Sequence, residues 1–198
     1  MLLTKLPDLS QAKNLKILML GGCISLMETR SSIQYLNKLE VLYLRKCESL
    51  TSLPISIPFK DLMNFPSVTS CHVYTLELIK VGIKELPSSV IECLSNLKKL
   101  YIVDCSQLES MSSSIFKLKS VQSIEISNCS IFERFTEIPS CNRDGGIGIE
   151  RLPSCKLVLE KCPMLRSLPR SLCVFKSLTS LEIIDCQNFV MLPYDLDI

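Results

Sequence analysis

The chain has 198 residues, 47% of them hydrophobic and 21% charged, with a formal net charge of +2. That composition supports a continuous core and lacks the surplus of one charge sign that nucleic acid or an anionic membrane would select. Its longest apolar runs are a few residues, against the roughly 20 of a membrane helix, and Met1-Leu2-Leu3-Thr4-Lys5 forms no apolar signal-peptide core.

From the start of the chain onward, one apolar pattern recurs, L-x-x-L-x-L-x-x-C. It first appears as Leu15, Leu18, Leu20 and Cys23, then as Leu39, Leu42, Leu44 and Cys47. A third copy carries valine in the cysteine slot: Val73, Leu76, Leu78, Val81. Leu97, Leu100, Ile102 and Cys105 follow, then Val121, Ile124, Ile126 and Cys129. The last two copies are Ser154, Leu157, Leu159, Cys162 and Leu178, Leu181, Ile183, Cys186. The cysteines lie 24, 58, 24, 33 and 24 residues apart. Self-similarity at such periods is the mark of a solenoid, in which each unit buries its apolar side on its neighbours.

Each L-x-L step predicts a short strand whose alternate side chains point inward. Seven strands are expected near 17–20, 41–44, 75–78, 99–102, 123–126, 156–159 and 180–183, stacked in chain order in a sheet roughly 29 Å across. After the cysteine comes an apolar residue three positions on and often Leu-Pro six on, as at Leu53-Pro54, Leu168-Pro169 and Leu192-Pro193. Proline there sits outside the sheet ladder, where its missing N–H breaks no bond. The return segment, for example Ile33, Leu36 and Leu39, has helical spacing and predicts a short helical turn. The fold expected is thus an α/β solenoid, a leucine-rich-repeat horseshoe with a parallel β-sheet on the concave face and short helical turns and loops on the convex face. It is read as one domain over 1–198 with about seven repeats, irregular at 55–72 and 133–153, where Asn142-Arg143-Asp144-Gly145-Gly146 signals a turn. Thr4-Lys5-Leu6-Pro7 reads as the tail of a repeat without its strand, and Leu192-Pro193 precedes no further strand. The expectation is a fragment of a longer protein.

Cys23, Cys47, Cys105, Cys129, Cys162 and Cys186 form one column, without the C-x-x-C pairing and tetrahedral convergence of a zinc site. They are expected to be a buried, reduced, structural ladder. Cys71-His72, with the only histidine, lacks an orienting third group and points to opposite faces of an extended segment. Gly145-Gly146-Ile147-Gly148 lacks the lysine and the strand-to-helix context of a phosphate loop, and Asn128-Cys129-Ser130 is an accidental sequon because its cysteine belongs to the core. The expectation is no enzyme, no metal and no cofactor. What remains is the outward face of the strands, in columns read across the stack. The central column is Met19, Tyr43, Glu77, Tyr101, Glu125, Val158 and Glu182. The next is Gly21, Arg45, Ile79, Val103, Ser127, Glu160 and Ile184, and beyond it come Gly22, Lys46, Lys80, Asp104, Asn128, Lys161 and Asp185. Tyrosine and arginine dominate protein interfaces. Tyr43, Arg45, Lys46, Glu77, Lys80, Tyr101, Glu125, Glu182 and Asp185 are therefore the candidate protein-binding residues, and their mixed charge points to protein and not to nucleic acid.

The full consensus, L-x-x-L-x-L-x-x-C-x-x-L-x-x-L-P-x-S-I-x-x-L-x-x-L, resembles the repeat region of plant intracellular disease-resistance proteins of the TIR–nucleotide-binding–leucine-rich-repeat class. Lys5-Leu6-Pro7-Asp8-Leu9-Ser10, Ser31-Ser32-Ile33 and Lys84-Glu85-Leu86-Pro87-Ser88-Ser89-Val90 are phrases of that kind. The resemblance implies a module of innate immunity that senses a pathogen effector or host protein and holds the receptor's nucleotide-binding domain inactive. It implies a cytoplasmic setting, or else a nuclear one. The chain carries no G-x-x-x-x-G-K-[ST] loop, so nucleotide binding does not carry over. Two alternatives stand beside it: a receptor-like ectodomain, whose usual L-x-G-x-I-P steps and paired capping cysteines are missing here, and a regulatory or substrate-selecting arm of an enzyme complex.

Overall fold

The computed structural model of the chain describes residues 3–27, 33, 36, 38–53, 72–137 and 153–193. Cys71, Cys141 and the glycine-rich 145–148 segment, with most of the two irregular stretches, lie outside the described residues.

Among the described residues ten strands follow one another: β1 (Ile17–Gly21), β2 (Val41–Arg45), β3 (Thr75–Ile79), β4 (Glu85–Leu86), β5 (Lys99–Val103), β6 (Ser110–Ser112), β7 (Ser123–Ser127), β8 (Arg134–Thr136), β9 (Cys155–Glu160) and β10 (Leu178–Ile184). Seven of them form one parallel sheet in the order β1-β2-β3-β5-β7-β9-β10, which is chain order, as the repeat pattern requires. Between β1 and β7 the register is unbroken, five residues opposite five, so Leu18, Leu42, Leu76, Leu100 and Ile124 lie in one row and Leu20, Leu44, Leu78, Ile102 and Ile126 in another. From β2 to β7 these side chains are fully buried. Each contributes about 1.5–3 kcal/mol relative to an exposed position. Burial falls at β1 and β10, where Leu18, Leu20, Leu181 and Ile183 are half-buried.

One slot differs from the sequence reading. Ser154 is exposed, and its neighbour Cys155 is buried and starts β9 opposite Leu178. That shortens the L-x-x-L step by one residue, and β10 absorbs the difference with a bulge between Leu178 and Ser180.

The side opposite the large sheet also departs from expectation. Helical structure among the described residues includes a six-residue helix, Ser88–Cys93, and two 3₁₀ turns, Ser113–Lys117 and Arg170–Val174. Before these turns the chain forms a second, three-stranded parallel sheet, β4-β6-β8, with Leu86, Met111 and Phe135 in one buried row. Part of the stretch taken as irregular from 133 is thus the regular strand β8. Beneath it Phe135 packs edge-on against Phe132 and tilted against Phe116, with centroids 5.2 Å apart in both pairs.

Every strand of the large sheet is followed by a residue with positive φ. Gly22 stands at 70°, and Lys46, Lys80, Asp104, Asn128, Lys161 and Asp185 at 51–56°. A cysteine comes next after six of the seven, and after β3 Lys80 precedes Val81 instead. Each of these residues from Gly22 to Lys161 donates its N–H to the last strand carbonyl of the next repeat, Lys46 to Ile79 at 2.8 Å and Lys80 to Val103 at 2.9 Å. The ladder thus continues one residue past the strand while the chain turns inward. Left-handed backbone costs an L-residue on the order of 1 kcal/mol, and glycine escapes that cost. Lys80→Gly and Lys161→Gly should each raise the midpoint of urea denaturation, by about 0.5–1 kcal/mol of stability. Lys80→Val, which adds a branched Cβ, should lower it.

Candidate functional site

The cysteine column forms where the left-handed turn delivers the next side chain to the interior. Cys47, Cys105, Cys129 and Cys162 are fully buried, Cys23 is nearly so, and Cys186 is only half-buried, in the turn after β10. From Cys47 onward each thiol of the column faces two carbonyls, one two residues back and one in the preceding strand, while Cys23 faces the Gly21 carbonyl. Cys105 donates to Val103 and Leu78 at 3.6 and 3.5 Å, and Cys162 to Glu160 and Ile126 at 3.5 and 3.7 Å. Val81 has no proton to donate in the third repeat. Burial pushes the thiols up from the ordinary 9.0, to about 11 at Cys105 and about 12 at Cys162. Burial also raises Cys129, and the neighbouring thiols of Cys105 and Cys162 add to the effect. Cys155, outside the column, is held at about 11 by burial. Among the described residues no group of three or more His, Cys, Asp or Glu side chains could hold a metal ion.

The third repeat is also one residue short. Its next apolar residue, Ile83, comes two positions after Val81, where the other repeats leave three after the cysteine. The shortened turn presses Gly82 onto the second repeat, so a Cβ there would fall 1.8 Å from the Glu48 carbonyl oxygen. Beside it opens a polar groove of about 560 Å³ between Glu48 and Thr51 on one side and Asp104, Ser106 and Gln107 on the other.

Outside the sheet, the register sets Met19, Tyr43, Glu77, Tyr101, Glu125, Val158 and Glu182 in one column and Gly21, Arg45, Ile79, Val103, Ser127, Glu160 and Ile184 in the next. Tyr43, Glu77, Tyr101, Glu125 and Glu182 are half-buried, while Arg45 is exposed and lies 3.8 Å from Glu77. Lys46, Lys80 and Asp185 do not stand on the sheet face. They occupy the left-handed turns, so they line its exit rim. A third outward column, ahead of the central one, was not singled out from sequence: Ile17, Val41, Thr75, Lys99, Ser123, Lys156 and Ser180. The signal was present in the same alternation, two residues before the central position. Lys156 pairs across to Glu182 at 2.7 Å.

At the entry edge of the strands, Lys16, Glu40, Tyr74, Lys98 and Gln122 are linked in series by backbone bonds. Their side chains continue the series. Lys16 pairs with Glu40 at 3.0 Å, the Tyr74 hydroxyl donates to Glu40 at 2.9 Å, and Lys98 lies over the Tyr74 ring at 5.8 Å. The Lys16 and Tyr74 donors hold the Glu40 carboxyl below its usual range, and the bond to Glu40 raises Tyr74. His72 lies exposed beside this edge.

Neither a protein-family model nor a curated protein matches the chain. Among solved structures it is similar to the leucine-rich repeat domain of the type III effector XopL, with a TM-score of 0.64 and 24% identity over 97% of this chain and 68% of that one. The chain has the leucine-rich repeat fold. Among the described residues no helix is long and apolar enough to cross a membrane.

The raised thiols carry a pH dependence. A thiol that is harder to ionise when folded stabilises the fold fully below its unfolded pKa, near 9, and loses that contribution as pH rises toward the folded value. Denaturant midpoints should therefore hold steady up to about pH 9 and fall above it, through about pH 11 for Cys105 and about pH 12 for Cys162. Cys105→Ala should shallow that fall. On native alkylation Cys93, Cys173 and Cys186 should label before Cys105, Cys129 and Cys162.

Proposed function

We propose that the concave sheet face is a protein-recognition surface of plant innate immunity. In this reading the chain senses an effector or host protein and restrains the nucleotide-binding domain of a disease-resistance receptor, in the cytoplasm or the nucleus. The single observation that carries the recognition reading is the half-buried Tyr43-Glu77-Tyr101-Glu125 column. It places rigid aromatic anchors between carboxylates at one-strand spacing, on a sheet whose other face is wholly committed to the core. Aromatic groups held in place by a rigid scaffold bind with little loss of side-chain freedom. The immune reading rests on the cysteine column together with the Lys84-Glu85-Leu86-Pro87-Ser88-Ser89-Val90 phrase and its counterparts in other repeats.

Immobilised chain should retain leaf-extract proteins that a Tyr43→Ala/Tyr101→Ala variant loses and a Glu92→Ala variant, altered on the helix, keeps. Each tyrosine should be worth about 2 kcal/mol, roughly 30-fold in Kd, with the melting temperature unchanged. If all three baits retain the same proteins, the concave face is not the recognition surface. The immune-receptor reading has its own check: the transcript should extend upstream in frame to a G-x-x-x-x-G-K-[ST] loop, and an in-frame stop codon close before Met1 overturns it.

A further inference from the structure

The two edges of the large sheet differ in charge. At the exit edge the signs interleave: Arg45, Lys46 and Lys80 are followed by Asp104, Glu160 and Asp185. At the entry edge, the turns and first strand residues carry exposed lysine after exposed lysine, among them Lys13, Lys16, Lys38, Lys98, Lys99 and Lys176. Glu40 is the one acidic residue there among the described residues, and Lys16 already pairs with it. Among the described residues Lys38 bonds a neutral partner, the Asn14 amide oxygen at 2.7 Å. With a whole-chain charge of only +2, this concentration along one edge is a property of the fold and not of the composition.

We propose that this lysine file is a second docking strip, adjoining the concave grid through Lys99, that takes an extended Asp/Glu-rich segment of the protein partner. It rests on the protein-recognition reading above. The geometry selects the occupant. The file follows the stacking direction, where neighbouring repeats lie about 4.8 Å apart, and an extended chain offers same-side carboxylates about every 6.6 Å. Long lysine stems span that mismatch. A file one or two lysines wide fits a chain and not a bilayer surface. Lysine also lacks the planar fork that reads bases, and Tyr74, the aromatic of this edge, has its hydroxyl bound to Glu40 and its ring beneath Lys98, leaving no platform on which bases could stack.

The test uses the full chain and a fluorescent oligo-glutamate peptide, read by anisotropy at physiological salt. Two triple variants change net charge equally: Lys38→Glu/Lys98→Glu/Lys99→Glu on the entry edge and Lys46→Glu/Lys80→Glu/Lys161→Glu on the exit edge. All six side chains are exposed, and thermal melts check that both variants fold. The entry variant should weaken binding about tenfold or more, and the exit variant about twofold or less. Equal losses, or no binding by the unaltered chain, overturn the proposal. Tighter entry-edge binding of phosphatidylserine vesicles or of a single-stranded oligonucleotide overturns the assigned occupant. Tyr43→Ala/Tyr101→Ala should leave peptide binding intact, so a failure of the concave reading with the peptide still bound is distinguishable from a failure of the strip.

Discussion

The cysteine slot lies three residues after the last inward side chain of its strand, where simple alternation would point it outward. The backbone has to change hand within a single residue to bring it inside. Here that residue is Gly22, Lys46, Lys80, Asp104, Asn128, Lys161 or Asp185, each with φ between 51° and 70°. From Gly22 to Lys161 its N–H still extends the ladder to the next repeat, so the change of hand leaves those donors paired. The residue that follows is turned inward because of this turn, and from Cys47 onward each thiol of the column meets two carbonyls whose positions the turn has already set. The second sheet, the short helical turns and the aromatic cluster all begin from the point where this residue releases the chain.

The same constraint separates the jobs of the two sheet faces. Inward rows are closed: Leu76, Leu78, Leu100 and Ile102 have no exposed surface and no freedom to change size without leaving a cavity or forcing strain. Outward columns are open, and the register holds each side chain at a known height and spacing whatever its identity. Recognition and electrostatics can then vary on a fixed lattice, with tyrosines and carboxylates at the centre, interleaved charge at one rim and lysine at the other.

Much of this was legible in the residues, for a physical reason. Equal distance from the cysteine places strand residues in register, so Tyr43, Glu77, Tyr101 and Glu125 could be assigned to one column before any coordinates. Ser154 was misplaced because the missing residue is made good by a bulge in the next strand, beyond the reach of a local pattern. The second sheet went unseen because Glu85–Leu86 and Arg134–Thr136 are too short to show alternation. Lys46 and Lys80 were assigned to the sheet face because a left-handed turn is usually announced by glycine or asparagine, and lysine announces nothing. The pairs Lys16–Glu40 and Lys156–Glu182 join residues from different repeats, and rotamers decide them.

The third repeat combines two departures already described, valine in the thiol column and a turn one residue short. Its strand still pairs fully on both sides, so the sheet passes through without a break. In the turn layer, continuity is lost: the thiol column is divided into a pair, Cys23 and Cys47, and a quartet from Cys105 to Cys186, and backbone packed against backbone at Gly82 takes its place. In a linear array, where cooperativity passes only between neighbours, such a joint acts as a domain wall. Loosening that starts in the first two repeats meets a different coupling there from the one it meets anywhere else along the stack.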